Sequence, residues 1–234
     1  MHINVLPALQ GEKGYQVLHF KSTNKNYKSN KDAVDFVEKH LSSAKELHSD
    51  SDADVLRFTS DHTQLDGFFL ELGVATGRTI NFIAALNPQK SIYGFDSFEG
   101  LPEDWVRADV TVLKGAFAAH KNDFAPPVLT NVTLFKGNFA DVLPEFKSKI
   151  LKDAPIAFLH VDCDIYESTK GALDILASNI KEGTIIVFDE LYNYPNYAHH
   201  EWKALQEFLA SNGFKAEFIA FNAEHEQVAI KIIK

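Results

Sequence analysis

The chain reads as an α/β protein with a mostly parallel sheet and helices on both faces, and three observations carry that reading. Short apolar runs at 67–72, 91–95, 132–135, 156–161 and 184–188 alternate with helical patterns at 78–86, 139–151, 167–180 and 200–212. Such alternation builds βαβ units, whose right-handed crossovers leave neighbouring strands parallel. The first core run ends in Glu71-Leu72-Gly73-Val74-Ala75-Thr76-Gly77, where two glycines mark a tight turn into a helix. Last, the strand-like runs 214–221 and 227–233 are joined only by Asn222-Ala223-Glu224-His225-Glu226. That link is too short for a parallel crossover, so the two runs pair antiparallel as a closing hairpin.

Ahead of this core, Lys21 to Lys31 is polar and reads as exposed loop. From Asp32, the positions Val34, Phe36, Val37 and Leu41 have helical spacing and predict a helix to about Leu47, stopped by Ser49-Asp50-Ser51-Asp52. A second short helix is predicted over 54–64. Residues 1–60 are therefore expected to be an N-terminal helical appendage or lid, and 61–234 the main domain. The stretch from Ser97 to Thr130, with Trp105, Lys114 and Pro126-Pro127, exceeds an ordinary connection and is expected to form part of a lid.

At 234 residues with 45% hydrophobic residues, the chain suits one α/β domain with a sizeable core. A net charge of −9 argues against nucleic acid or an anionic membrane as partner, since both need a basic face. With Cys163 as the single cysteine, no internal disulfide can form. There is no apolar stretch of spanning length and no signal-like h-region, so a cytoplasmic protein is expected.

The glycine loop narrows the ligand. A dinucleotide fingerprint needs G-x-G-x-x-G, whose middle glycine admits a pyrophosphate. Here Ala75 stands at that position and Arg78-Thr79 at the last. The E-x-G-x-x-x-G pattern instead resembles motif I of the class I methyltransferases, which use S-adenosylmethionine (SAM), a nucleoside cofactor without phosphate. Their sheet also ends in an antiparallel hairpin. On that reading Glu71, Gly73, Val74 and Gly77 form the cofactor loop, and Asp96, closing the next run beside Ser97, grips the ribose diol. An ordinary strand-to-helix turn has the same glycine spacing. Asn138 and Phe139, after the third strand, either wall the adenine or form a helix N-cap followed by a core aromatic.

Acids gather at two further strand ends: Asp162-Cys163-Asp164 after the fourth, Asp189-Glu190 after the fifth. Carboxyl ends of adjacent parallel strands face one crevice, so Asp162, Asp189 and Glu190 can converge there. Three carboxylates with room for water and a bidentate substrate suit Mg²⁺. Such an ion lowers the pKa of a coordinated hydroxyl, and a neighbouring carboxylate then takes its proton. Acids at strand ends also simply solvate a surface or cap helices.

Four motifs in order resemble the macrocin O-methyltransferase group over roughly residues 66–212. They are the loop, Asp96-Ser97-Phe98-Glu99-Gly100-Leu101-Pro102, Lys136-Gly137-Asn138-Phe139-Ala140-Asp141, and Asp162-x-Asp164-x-Tyr166-Glu167-Ser168-Thr169 with the later Asp189-Glu190. The resemblance implies a Rossmann-like, mostly parallel seven-stranded sheet and SAM-dependent methylation of a small-molecule hydroxyl, sugar-like or phenolic. It also implies Mg²⁺ held by Asp162, Asp189 and Glu190, with Asp162 as catalytic base, and a homodimer. Cys163 replaces a usual glycine and Glu190 a usual Asp or Asn, so a macrolide sugar is not carried over as acceptor. His199 or His200 could touch the acceptor or merely sit on the surface; Tyr192, Tyr194, Tyr197 and Trp202 either line its pocket or fill core. Two other functions use the same residues: a nucleotide-sugar glycosyltransferase with Asp162-Cys163-Asp164 as its metal–diphosphate triplet, and a SAM-binding protein without catalysis.

Overall fold

The computed structural model describes residues 26–108, 110–118 and 126–234; the predicted loop before 26 and the lid stretch 119–125 lie outside them. Asn30 starts α1 (Lys31–Phe36) by accepting the Asp32 N–H on its side chain, and the helix widens into a π-turn over Val37–Leu41. The helix predicted to reach Leu47 stops at Leu41. Lys45–Leu47 is instead strand β1, paired in parallel with residues 220–222 near the far end of the chain. No local periodicity announces so distant a partner. Tyr27, inside the stretch read as exposed loop, is buried edge-on to Phe221, and its N–H donates to the Ala223 carbonyl.

The remaining elements follow the expected alternation: α2 (Ala53–His62), β2 (Phe68–Leu72), α3 (Arg78–Leu86), β3 (Ile92–Asp96), the short pair β4 (Trp105–Val106) and β5 (Thr111–Val112), β6 (Val132–Lys136), α4 (Phe139–Phe146), β7 (Ile156–Val161), α5 (Tyr166–Leu176), β8 (Ile180–Phe188), α6 (Glu201–Asn212), β9 (Lys215–Asn222) and β10 (Val228–Ile233). Among the described residues the main sheet has eight strands in the order β1-β9-β10-β8-β7-β2-β3-β6, one more than expected because β1 joins its edge. Only β10 runs against the others, forming the predicted hairpin with β9.

Both faces are covered, which explains why the central strands read as unbroken apolar runs. Leu70, Leu72, Leu159 and Ile186 face α4, α5 and α6, while Phe69, Phe158 and Val187 face α2 and α3. Each such fully buried side chain contributes about 1.5–3 kcal/mol. Among the described residues no helix is long and apolar enough to cross a membrane.

One topological fact positions the site. β2 pairs with β3 on one side and β7 on the other, and the chain leaves β2 towards β3 and β6 but leaves β7 towards β8. Where connections diverge in this way, a crevice opens at the carboxyl ends of the strands. Gly73 and Asp162 end the two strands that flank it.

Candidate active site

Gly73 follows β2 at φ +88°, and its N–H donates to the Phe95 carbonyl at 2.9 Å. A Cβ built on it would lie 1.8 Å from the carbonyl oxygen of Asp162. The glycine expected to make room for a cofactor thus first makes room for the neighbouring strand end. Gly77, at φ +80° before α3, is less confined: its nearest neighbour would be the Pro126 ring at 3.2 Å.

Asp96 sets the shape of the loop. Its Oδ2 accepts the N–H groups of Val74 and Ala75, each at 2.7 Å, and its Oδ1 accepts that of Phe98 at 2.6 Å. A carboxylate accepts about four hydrogen bonds, so roughly one position remains for a ligand. With these bonds in place Asp96 can receive one ribose hydroxyl, and the two-point grip on a diol needs a loop amide to give way.

A cavity of about 1160 Å³ opens over the strand ends, large enough for a nucleoside cofactor together with a second small molecule. Gly73, Val74, Asp96, Ser97, Asn138, Phe139, Asp162, Asp189 and Glu190 all line it, whereas Glu71 and Gly77 do not. Glu71 is fully buried behind the loop, its Oε1 accepting from Thr79 Oγ1 at 2.6 Å and its Oε2 lying 3.7 Å from His160 Nδ1. Its side chain ties β2 to α3, which is why an acid precedes the glycines. Asn138 occupies the N-cap position of α4 but makes no capping bond with its side chain, leaving the amide exposed at the cavity wall. Phe139 is half-buried against the core.

The acids converge, though not in the expected set. Asp162 follows β7 and donates its N–H to Leu72; Cys163 is buried with Sγ 3.6 Å from the same carbonyl, a packed residue. Asp164 adopts φ +62°, a left-handed conformation that aspartate tolerates better than most residues. Oxygens of Asp162, Asp164 and Glu190 lie within 4.8 Å of one another. Asp189, expected in that group, lies along the same wall but turns Oδ1 to within 3.7 Å of His160 Nε2. Asp189 thus stands beside the three, between His160 and its neighbour Glu190.

Burial, reinforced by the Asp189 charge, pushes the carboxyls of Asp162 and Glu190 well above the usual range and that of Asp164 to about 7. Burial opposes a charge on His160, but Asp189 and Glu71 on its two sides outweigh it and hold its pKa well above the ordinary value. Burial would likewise raise Asp189; the bonding and charge of His160 overcome it, and its pKa is lowered.

The β4–β5 hairpin borders the cavity, which Trp105, Arg107 and Val112 line. Arg107 donates from Nη2 and Nη1 to the two carboxylate oxygens of Glu226 at 2.8 and 3.3 Å. Its guanidinium also stacks on the rings of Tyr194 and Trp105, at 4.3 and 4.9 Å. His200 Nε2 lies 3.1 Å from the Val106 carbonyl. Neither His199 nor His200 lines the cavity, nor do Tyr192, Tyr194, Tyr197 or Trp202, which pack beneath it. Arg107→Met takes the bidentate guanidinium from the buried Glu226 and should release the hairpin locally, because removing one member of a buried pair is costly. Limited proteolysis within 105–112 is expected to accelerate by at least about tenfold, with the main thermal transition little changed. Unaltered proteolysis would mean that the pair does not anchor the hairpin.

The profile of a methyltransferase-domain family matches residues 70–191, which span the glycine loop and Asp96, Asp162, Asp164, Asp189 and Glu190. The chain belongs to this methyltransferase family. Among solved structures, one of CalS11, a calicheamicin methyltransferase, is 25% identical over 76% of each chain with a TM-score of 0.59. An apo structure of CalS11, titled a TDP-rhamnose 3'-O-methyltransferase of calicheamicin biosynthesis, is 24% identical over 76% of this chain and 77% of that one (TM-score 0.53). The O-methyltransferase NovP, 20% identical over 76% of this chain and 78% of that one (TM-score 0.53), shares the fold. No curated protein sequence matches. The expected methyltransferase therefore stands, and the Asp162-Cys163-Asp164 triplet belongs to a methyltransferase cavity.

Proposed function

We propose that this enzyme transfers the methyl group of SAM to a hydroxyl of a small sugar-like or phenolic molecule, assisted by a divalent cation. The observation that carries the reading is the meeting of Asp162, Asp164 and Glu190 in the cavity that also holds the glycine loop. A hydroxyl is a poor nucleophile at neutral pH, and such a cluster answers that need next to the donor. The cavity has room for both molecules, and the description of CalS11 as a sugar O-methyltransferase supports a sugar hydroxyl as acceptor.

The residues fit Mg²⁺. All three offer hard oxygen ligands, and Oε2 of Glu190 is buried without a hydrogen-bond partner. When bound, Mg²⁺ lowers the pKa of a coordinated hydroxyl. Asp162, Asp164 and Glu190 would hold the ion, and Asp162, nearest the glycine loop, takes the hydroxyl proton. The loop from Gly73 to Ala75 and the wall of Ser97, Asn138 and Phe139 orient the donor, leaving displacement to alignment.

Methylation assays by mass spectrometry against a panel of sugars, nucleotide sugars and phenols, with and without EDTA, test the reading. A methylated product lost on chelation bears it out, and product formation unaffected by exhaustive chelation removes the metal. The metal set has its own check. Mg²⁺ should raise the melting temperature of the wild type and of Asp189→Asn, but not of Asp164→Asn or Glu190→Gln. The opposite pattern for Asp164 and Asp189 would restore the set implied by the family resemblance.

A further inference from the structure

Arg78 opens α3 directly after the glycine loop, and its side chain, 59% exposed, lies on the cavity wall. It is held from behind. Nη1 and Nη2 donate to Oδ1 and Oδ2 of Asp52, both at 2.7 Å, and the Asp52 side chain is only 2% exposed. Asp52 is delivered by the 49–51 loop, whose Ser49 and Ser51 carbonyls accept from the fully buried Asn222 amide at 3.1 and 2.9 Å. A guanidinium has five donors. The Asp52 pair uses two and fixes the plane of the group, leaving the rest for a ligand on the open side.

The charges around it are lopsided. Asp162 and Asp189 lie close enough to raise the Arg78 pKa further, after the Asp52 bond itself. Arg107, which also lines the cavity, is committed to Glu226 and two aromatic rings. SAM carries a sulfonium and an ammonium, which a wall of acids welcomes, and one carboxylate, which it repels. Along the strand ends the order is Asn138, Asp96, Gly73, Asp162, Asp189, following β6-β3-β2-β7-β8. If the nucleoside lies towards Asn138 and Asp96, the amino-acid end lies towards Gly73 and Asp162, beside Arg78.

We infer that Arg78, fixed by Asp52, receives the α-carboxylate of the donor's methionine portion; this rests on the SAM reading above. Calorimetry with two product analogues tests it: S-adenosylhomocysteine and its decarboxylated form, which keeps the amine. The wild type should bind the carboxylate-bearing ligand about 10- to 100-fold more tightly, as for one charge-assisted bidentate contact. Arg78→Met should lose that preference by weakening only the first ligand, and Arg78→Lys should keep part of it. Because Asp52 is left buried and unpaired in Arg78→Met, the neutral pair Asp52→Asn/Arg78→Met serves as a second variant with the same expected loss of preference. Equal affinity of the wild type for the two ligands, or equal weakening of both in the variants, overturns the assignment while leaving the donor in place. A wild type that binds neither overturns the donor reading as well.

Discussion

Gly73→Ala is expected to destabilise the protein by roughly 3–5 kcal/mol, as backbone strain in the left-handed region adds to overpacking. The new methyl would lie 1.8 Å from the Asp162 carbonyl oxygen, a backbone atom fixed by the pairing of β2 with β7. No side-chain rotation relieves such a contact. Two controls separate the causes. Gly213→Ala has a similar φ of +67° but meets nothing within 4 Å, so it should cost only about 1–2 kcal/mol of conformational strain. Gly77→Ala, at 3.2 Å from a proline ring, should fall between the two. Urea-unfolding midpoints read all three. A Gly73→Ala protein as stable as Gly213→Ala would mean that the strand ends are further apart than described, and that the glycine serves the ligand alone.

Asp162→Asn is expected to lower turnover by about 10²–10⁴-fold, the usual contribution of a positioned general base. Its stability should move the other way. Burial, reinforced by the Asp189 charge and only partly offset by His160, disfavours a charged Asp162, and a neutral amide of the same shape carries no such penalty, so the metal-free melting temperature should hold or rise. Affinity for S-adenosylhomocysteine, measured calorimetrically, should stay within about tenfold, since the role proposed for the residue is on the acceptor oxygen. Full activity in this variant removes Asp162 from its role. A matching collapse of cofactor affinity would instead make it a donor-binding residue.

Gly73 and the acids at the strand ends were legible as cavity residues because strand-end chemistry is local, whereas Gly77 lies off the cavity lining. A parallel strand is announced by its own apolar run, and the residues that follow it must face the crevice. Asn138 and Phe139, singled out by the same rule, line the cavity. Glu71 was misplaced for an equally local reason. It sits one step before the strand ends, where its carboxylate meets Thr79 and His160 instead of the cavity. Whether an acid faces a ligand or the core depends on what covers that face of the sheet, and the motif does not state it.

Arg78 marked itself in the sequence only as a departure from a glycine fingerprint, and Asp52 only as part of a polar run. Their pairing joins the N-terminal segment to α3 across a loop held by Asn222. The nearness of Asp164 to Asp162 and Glu190 has the same character, since it comes with a left-handed bend in the strand-end turn that no local pattern announces.

Alone, the amino-acid order determined the parallel sheet, its hairpin ending, the crevice and the donor class, because apolar periodicity and turn chemistry act over a few neighbouring positions. Tertiary structure decided the eighth strand, the meeting of Asp162, Asp164 and Glu190, and the arginine on the wall. Each of these is a contact between groups brought together by the sheet, whose energies depend on distance and burial that no local pattern encodes.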